Sequence, residues 1–224
     1  VVVVGGGING LTCAAYLAKA GAKVLVVERA DEVGIHCCTN EVTIPGFRHN
    51  LCATWIWTPI SPCIADLELE KYGLEVVVTE YAYGMPFSDG KCALIHSWDI
   101  LHTAKKWEKF SKKDAETLRK IMRDVLPHVQ ELTEIFLYQQ FTMDSMDRAL
   151  EILKKCESVP QDIHEMNAFE LLDLLFEDEH IKVMLASVGW IGGIPPWQRG
   201  IGAMGPLALP FMIVSQLKGG SHML

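Results

Sequence analysis

A glycine-rich turn between an apolar run and a helix-forming stretch limits the fold of this chain more than any other feature. The segment Gly5–Gly10 reads Gly-Gly-Gly-Ile-Asn-Gly and follows the valines Val1–Val4, which are typical of a buried parallel strand. The pattern then predicts a helix over Leu11–Ala20, ended by Gly21, and a second apolar strand over Lys23–Glu28. Strand, glycine turn, helix and strand in this order predict a right-handed βαβ unit.

The turn satisfies the pattern G-x-G-x-x-G, in which each glycine has its own physical function. Gly5 allows a tight turn, Gly7 lets a pyrophosphate approach the backbone, and Gly10 lets the helix pack closely on the strand. The amides at the start of the helix, at Ile8 and Asn9, are then available to bind phosphate oxygens with the help of the helix dipole. The sequence therefore predicts a dinucleotide-binding site at this turn.

An acidic residue stands at the expected distance from the turn. Glu28 lies eighteen residues after Gly10, at the end of the second predicted strand. Its carboxylate can accept hydrogen bonds from both hydroxyls of an adenosine ribose, and it would repel a 2'-phosphate, so NADP is disfavoured. The alternative is that Glu28 is a solvated residue beside an ordinary glycine loop, but the complete strand–turn–helix context disfavours that interpretation.

The residues after the second strand distinguish FAD from NAD. Glu28–Gly34 resembles the extension found in flavoproteins of the glutathione-reductase superfamily, and with Pro45–Phe47 the pattern is similar to the phytoene-desaturase and amine-oxidase branch, in particular to the phytoene-dehydrogenase-like oxidoreductases. The resemblance covers residues 1–60 densely and returns weakly at Lys218–Gly220. It implies FAD as the cofactor. The cofactor-binding residues that it predicts are Gly5, Gly7, Ile8, Asn9, Gly10, Glu28, Arg29, Gly34, Ile35 and His36.

The chain departs from this family in two respects. The family has two glycines where this chain has Gly34-Ile35, and Ile35 places a β-branched side chain where a positive φ is expected beside the FAD diphosphate or ribityl chain. Family members are also longer, and their C-terminal half supplies a further FAD-contacting segment. We therefore expect this chain to be a part of a longer protein or one half of a split enzyme.

The predicted fold class is α/β: a Rossmann-like FAD-binding domain of the glutathione-reductase type with a largely helical substrate-domain insertion. We assign residues 1–96 to the FAD domain, 97–217 to an incomplete substrate domain and 218–224 to the return toward the FAD domain. In the first part, the sequence predicts a short helix over Ile64–Tyr72, a strand over Leu74–Thr79 and a hairpin around Asp89-Gly90.

Capping patterns predict the helices of the second part. Ser111 with Asp114 and Asn167 with Glu170 resemble helix N-terminal capping boxes. Pro127 predicts a kink. Further helices are predicted over Val129–Phe141 and Asp144–Cys156, whereas the glycines and prolines of residues 190–220 disfavour regular helix.

Charge and cysteine content exclude several classes of function. The net charge of −8 disfavours nucleic-acid binding. The seven cysteines include no C-x-x-C pair, so we predict no metal site and a reducing, cytoplasmic location. The lysines of residues 105–113 leave two alternatives open, a solvated helix face or peripheral contact with a membrane. Trp55, Trp57, Trp190 and Trp197 either line an apolar cavity or anchor irregular loops.

The resemblance implies a dehydrogenase, desaturase or isomerase that transfers hydride from a small apolar or lipid-like substrate to FAD. Two alternatives stay open: a flavin amine oxidase, and a catalytically silent nucleotide-binding subunit of a larger complex. A homo-oligomer or a partner subunit is compatible with each. The sequence assigns no catalytic residue.

Overall fold

The structure is a computed structural model that describes residues 1–53, 61–135, 142–191 and 193–208. The chain folds as two compact units, Val1–Val76 and Val77–Leu224. This division falls before the boundary at residue 96 that the sequence analysis placed between the FAD domain and the substrate domain. The assignment of functions to residues 1–96, 97–217 and 218–224 stays a prediction.

The first unit begins with the predicted βαβ arrangement. Strand β1 (Val2–Val4), helix α1 (Ile8–Lys19) and strand β2 (Leu25–Val27) follow one another, and the two strands pair in parallel with Val3 opposite Val26. Helix α1 begins earlier than predicted, because Gly7 already forms its N-cap and the turn needs no further residue. The N-terminus of α1 therefore lies just after the end of β1.

The two strands are less buried than the sequence predicts. Val3 and Val26 are half-buried, whereas the alternate residues are exposed, including Val4 at 85% of its surface. Side chains alternate between the two faces of a strand, so the exposed residues share one face. The described sheet is thus covered on the face of Val3 and Val26 only. The exposed residues of the other face are Val2, Val4, Leu25 and Val27.

Short elements complete the first unit. Strands β3 (Thr39–Glu41) and β4 (Arg48–Asn50) form an antiparallel hairpin, and helix α2 (Pro62–Asp66) is followed by a 3-10 turn over Leu69–Tyr72. The Tyr16 hydroxyl of α1 donates a hydrogen bond of 2.6 Å to the Asp66 carboxylate, which raises the pKa of Tyr16 to about 12. This bond ties α1 to α2.

One strand prediction in this region is wrong. Residues 74–79 are not part of a strand in the structure. Their valines favour extended backbone, but a strand also requires a neighbouring chain that pairs with its amides and carbonyls. The local sequence reports the first requirement and not the second.

The second unit begins with the predicted hairpin. Strands β5 (Tyr81–Pro86) and β6 (Cys92–His96) pair in antiparallel orientation around the Asp89-Gly90 turn. The hairpin packs on helix α3 (Ile100–Trp107). The indole of Trp107 is fully buried, and its N–H donates to the Leu94 carbonyl at 3.0 Å, so this ring fixes α3 on β6.

Helices form most of the remaining described structure, as the capping patterns predict. The turn at Pro127 separates two helices, and Asn167 and Glu170 form a complete reciprocal capping box at 2.9 and 3.0 Å. In the described ranges, no helix is both long and apolar enough to cross a membrane. The helices are α4 (Lys112–Val125), α5 (Val129–Thr133), α6 (Met143–Leu153), α7 (Ala168–Leu175), α8 (Glu179–Ile191) and α9 (Ile201–Met204).

The Ser111–Asp114 pair forms only half of the predicted capping box. The Ser111 hydroxyl accepts a hydrogen bond from the Asp114 amide at 3.0 Å, as expected. The Asp114 carboxylate, however, is fully buried and accepts bonds of 2.9 Å from the amides of Glu177 and Asp178, just before α8. Asp114 therefore connects the beginning of α4 to the beginning of α8.

We expect Asp114→Ala to lower the free energy of unfolding by about 3 kcal/mol, because the amides of Glu177 and Asp178 lose a buried, charged acceptor. Urea-induced unfolding followed by circular dichroism measures this change. Glu116→Ala is the matched control on the same helix. Its side chain is 66% exposed, and its partner among the described residues is Arg119; such pairs contribute about 1 kcal/mol or less. Equal effects of the two substitutions would contradict the role given to Asp114.

Candidate dinucleotide-binding site

The glycine turn has the geometry that its spacing predicts. Gly5 adopts a φ of +106°, and its amide donates to the Val27 carbonyl at 2.7 Å, which connects the turn to β2. A Cβ on Gly10 would collide with the carbonyl oxygen of Gly5. Helix α1 can therefore lie this close to the end of β1 only with glycine at position 10.

Gly7 leaves the N-terminus of α1 open. It is the N-cap residue, no side chain caps this end of the helix, and the first turn carries no acidic residue. Among the described atoms, a Cβ on Gly7 would meet the δ-methyl of Ile35, at an ordinary contact distance of 3.5 Å. Helix N-termini attract negative charge, so the amides of Ile8 and Asn9 are the groups available to an anion at this end of the helix.

The Glu28 carboxylate lies at the same turn. One oxygen accepts a hydrogen bond of 2.6 Å from the Gly6 amide, and the other accepts from the amides of Arg29 and Ala30 at 2.7 and 2.9 Å. These bonds, above all those from Ala30 and Gly6, hold the pKa of Glu28 below its ordinary value. A carboxylate offers about four acceptor sites, so this arrangement leaves one for a ribose hydroxyl, where the sequence analysis expected bonds to both hydroxyls.

Gly6 is a site residue that the sequence analysis missed. It is buried, and a Cβ there would lie 2.9 Å from Val33 Cγ1 and 3.1 Å from Glu28 Cβ. The motif treats this position as free, yet any side chain there would have to displace Val33 and the Glu28 side chain. The available signal was the middle one of the three consecutive glycines, a position where the motif accepts any residue.

The segment after β2 returns to the turn. The Gly34 amide donates to the Gly6 carbonyl at 2.8 Å, and Gly34 forms a parallel bridge with Gly7. Gly34 has a φ of +107° and Ile35 a φ of +47°, so position 35 does adopt the left-handed conformation that the sequence analysis expected there.

The structure brings most of the predicted residues together at the turn. Gly10 lies against Gly5, the Gly34-Ile35 pair lies beside Gly7, and Glu28 bonds to the Gly6 amide between them. Two predicted residues, Arg29 and His36, have exposed side chains. The amide of Arg29 donates a hydrogen bond to the Glu28 carboxylate.

The tryptophan candidates lie apart from the glycine turn in the sequence. Trp190 and Trp197 contact one another with ring centroids 5.2 Å apart, and they are 53% and 61% exposed. They form an exposed aromatic pair within the second unit. Trp55 and Trp57 fall outside the described residues.

Comparisons with known proteins agree with this geometry. A family model described as an NAD(P)-binding Rossmann-like domain matches residues 3–70. One of the subunits of limonene dehydrogenase from Castellaniella defragrans is 33% identical over 234 residues, a match that covers 100% of this chain and 41% of that protein. Carotenoid 3,4-desaturase from Haloarcula japonica is 28% identical over 145 residues, covering 62% of this chain and 28% of that protein.

A solved structure shares the fold. A triple mutant of putrescine oxidase, made in a redesign of its cofactor binding, superposes with a TM-score of 0.50 at 17% identity. The match covers 99% of this chain and 48% of that structure. At this level of identity the likeness concerns the fold.

The fold and the glycine turn define a protein of the α/β class with a Rossmann-like dinucleotide-binding domain. Together with these relatives, they support the predicted resemblance to the FAD-dependent oxidoreductases of the phytoene-desaturase and amine-oxidase superfamily. The chain spans 41% of the length of the first of these relatives and 28% of the second.

The lowered pKa of Glu28 predicts a pH-dependent contribution to stability. A carboxylate whose pKa is lower in the folded state stabilises the fold above its unfolded-state pKa of about 4.3. That contribution disappears as the pH falls through the folded-state pKa. We therefore expect Glu28→Gln to be less stable than the wild type at neutral pH, and the difference to shrink in acid.

Urea-induced unfolding of the cofactor-free protein at a series of pH values measures this difference. Glu32→Gln is the control, because Glu32 is an exposed carboxylate in the same loop. A Glu28→Gln effect of constant size from neutral to acid pH would show that the negative charge of Glu28 does not stabilise the turn.

Proposed function

We propose that the protein containing this chain binds FAD at the Gly5–Gly10 turn and transfers hydride from an apolar substrate to the flavin. The observation that carries the proposal is the juxtaposition of an uncapped helix N-terminus at Gly7 with the Glu28 carboxylate at the same turn. An adenosine diphosphate group needs both features, one for its phosphates and one for its ribose.

The residues present fit the ADP half of FAD. The amides of Ile8 and Asn9 bind the diphosphate, and Gly7 allows its approach because no side chain stands there. The free acceptor site of Glu28 binds a ribose hydroxyl, and its negative charge repels a 2'-phosphate, which disfavours NADP. Gly10 holds the helix in the position that this binding requires.

The remaining predicted residues follow the cofactor away from the adenosine. Gly34, Ile35 and His36 line the diphosphate or the ribityl chain, with Arg29 at the adenosine end. Support comes from the bridge between Gly34 and Gly7, which brings this segment to the start of α1. Bound flavin supplies the hydride acceptor, and the chain supplies binding and orientation. No catalytic residue is assigned.

The helices of the second unit belong, in this proposal, to an inserted substrate domain within a fold of the glutathione-reductase type. Two relatives support an apolar substrate, because one is named for limonene and the other for a carotenoid, and both compounds are apolar. The limonene enzyme is also named as one of several subunits, which supports a partner chain for this protein. Amine oxidation stays the second candidate, since the likeness to putrescine oxidase concerns the fold.

The first test is the cofactor content of the purified full-length protein. We expect the protein to carry flavin that is released on denaturation and identified as FAD by chromatography. A colourless protein that does not take up added FAD would remove the proposal. Hydrogen peroxide released from an amine panel, with no turnover of apolar hydrocarbons, would favour the amine-oxidase alternative instead.

Two alanine substitutions separate cofactor binding from folding. Gly7→Ala places its Cβ in open space except for Ile35, so we expect a folded protein whose FAD affinity falls by about tenfold to a hundredfold, because the methyl group blocks the diphosphate. In Gly10→Ala the Cβ collides with backbone, so we expect the βαβ unit itself to be destabilised. Circular dichroism and FAD titration measure the two effects. Unchanged FAD affinity in Gly7→Ala would place the diphosphate elsewhere.

A further inference from the structure

Ile35 combines two unusual features at the edge of the candidate site. Its φ of +47° is one that β-branched residues rarely adopt, and its side chain is 51% exposed. The surrounding backbone holds this conformation. The Gly34 amide donates a hydrogen bond to the Gly6 carbonyl, and the Ile35 carbonyl accepts one from the Cys38 amide at 3.2 Å.

The side chain of Ile35 lies against the open side of Gly7. Its Cδ1 atom is 3.5 Å from the position that a Cβ on Gly7 would occupy. Among the described atoms it is the neighbour found at that position. The δ-methyl of Ile35 therefore lies next to the space where a side chain on Gly7 would be.

We propose that Ile35 determines the affinity of the cofactor site. Its δ-methyl occupies the space beside Gly7 at the start of α1, where the diphosphate would bind, and must move when a dinucleotide binds. This inference rests on the proposed function, since it assumes that the diphosphate lies at the start of α1. The half-exposed side chain has room to rotate toward solvent. Removing the δ-methyl frees the space beside Gly7.

Isoleucine to valine isolates this effect. Ile35→Val removes Cδ1 but keeps the β-branched side chain and therefore the same backbone preference. Ile35→Gly removes the whole side chain and also the conformational strain, because glycine adopts positive φ freely. Ile44→Val is the matched control, since Ile44 is 64% exposed in the same unit and is not among the atoms next to Gly7.

The experiment is calorimetric titration of the full-length protein, depleted of bound cofactor, with ADP and FAD. AMP serves as a ligand that lacks the second phosphate. We expect Ile35→Val and Ile35→Gly to bind ADP and FAD about threefold to tenfold more tightly than the wild type, with a smaller change for AMP. Ile44→Val leaves all three affinities unchanged. Thermal unfolding of the cofactor-free variants checks that each is folded.

The outcomes separate this inference from the proposed function. If the wild type binds ADP and Ile35→Val binds it no more tightly, Ile35 is an ordinary loop residue and the inference is overturned while the FAD site stands. If the folded wild type and both Ile35 variants bind neither ADP nor FAD, the proposed function fails and the inference with it. If Ile35→Val binds ADP more tightly than the wild type and Ile44→Val does not, the result supports the inference that the Ile35 δ-methyl obstructs the diphosphate.

Discussion

The close approach of helix α1 to the end of strand β1 is the constraint on which the candidate site depends. Gly10 permits this approach because no side chain separates it from the Gly5 carbonyl. The helix N-terminus is then fixed beside Gly7, and the Glu28 carboxylate reaches the Gly6 amide at 2.6 Å from the neighbouring strand. One backbone contact thus places the positive end of a helix and a negative side chain at a single turn.

The sequence predicts this part of the site well because the contacts are encoded in a short, fixed spacing. Gly5 and Gly10 are close in the chain, and Glu28 ends the strand that the helix connection requires. The remainder depends on residues 33–35 returning to pair with the turn, as the Gly34 amide does with the Gly6 carbonyl. No local pattern encodes that return, so the sequence does not predict the crowding around Gly6. The left-handed conformation of Ile35 was expected only from the family resemblance.

The same distinction explains the fold outside the site. The capping box of Asn167 and Glu170 was predictable because its partners lie three residues apart. Asp114 was predicted to act in the same way, but its carboxylate bonds to the amides of Glu177 and Asp178, far along the chain. Residues 74–79 have the composition of a strand and form none in the structure, because pairing depends on a partner that composition does not reveal.

The described contacts that shape the glycine turn come from residues 3–38 in the first unit. The second unit has its own interior, in which the Trp107 ring and the Asp114 carboxylate connect elements that lie within that unit. Each unit thus has its own network of described contacts, built from residues that lie within that unit.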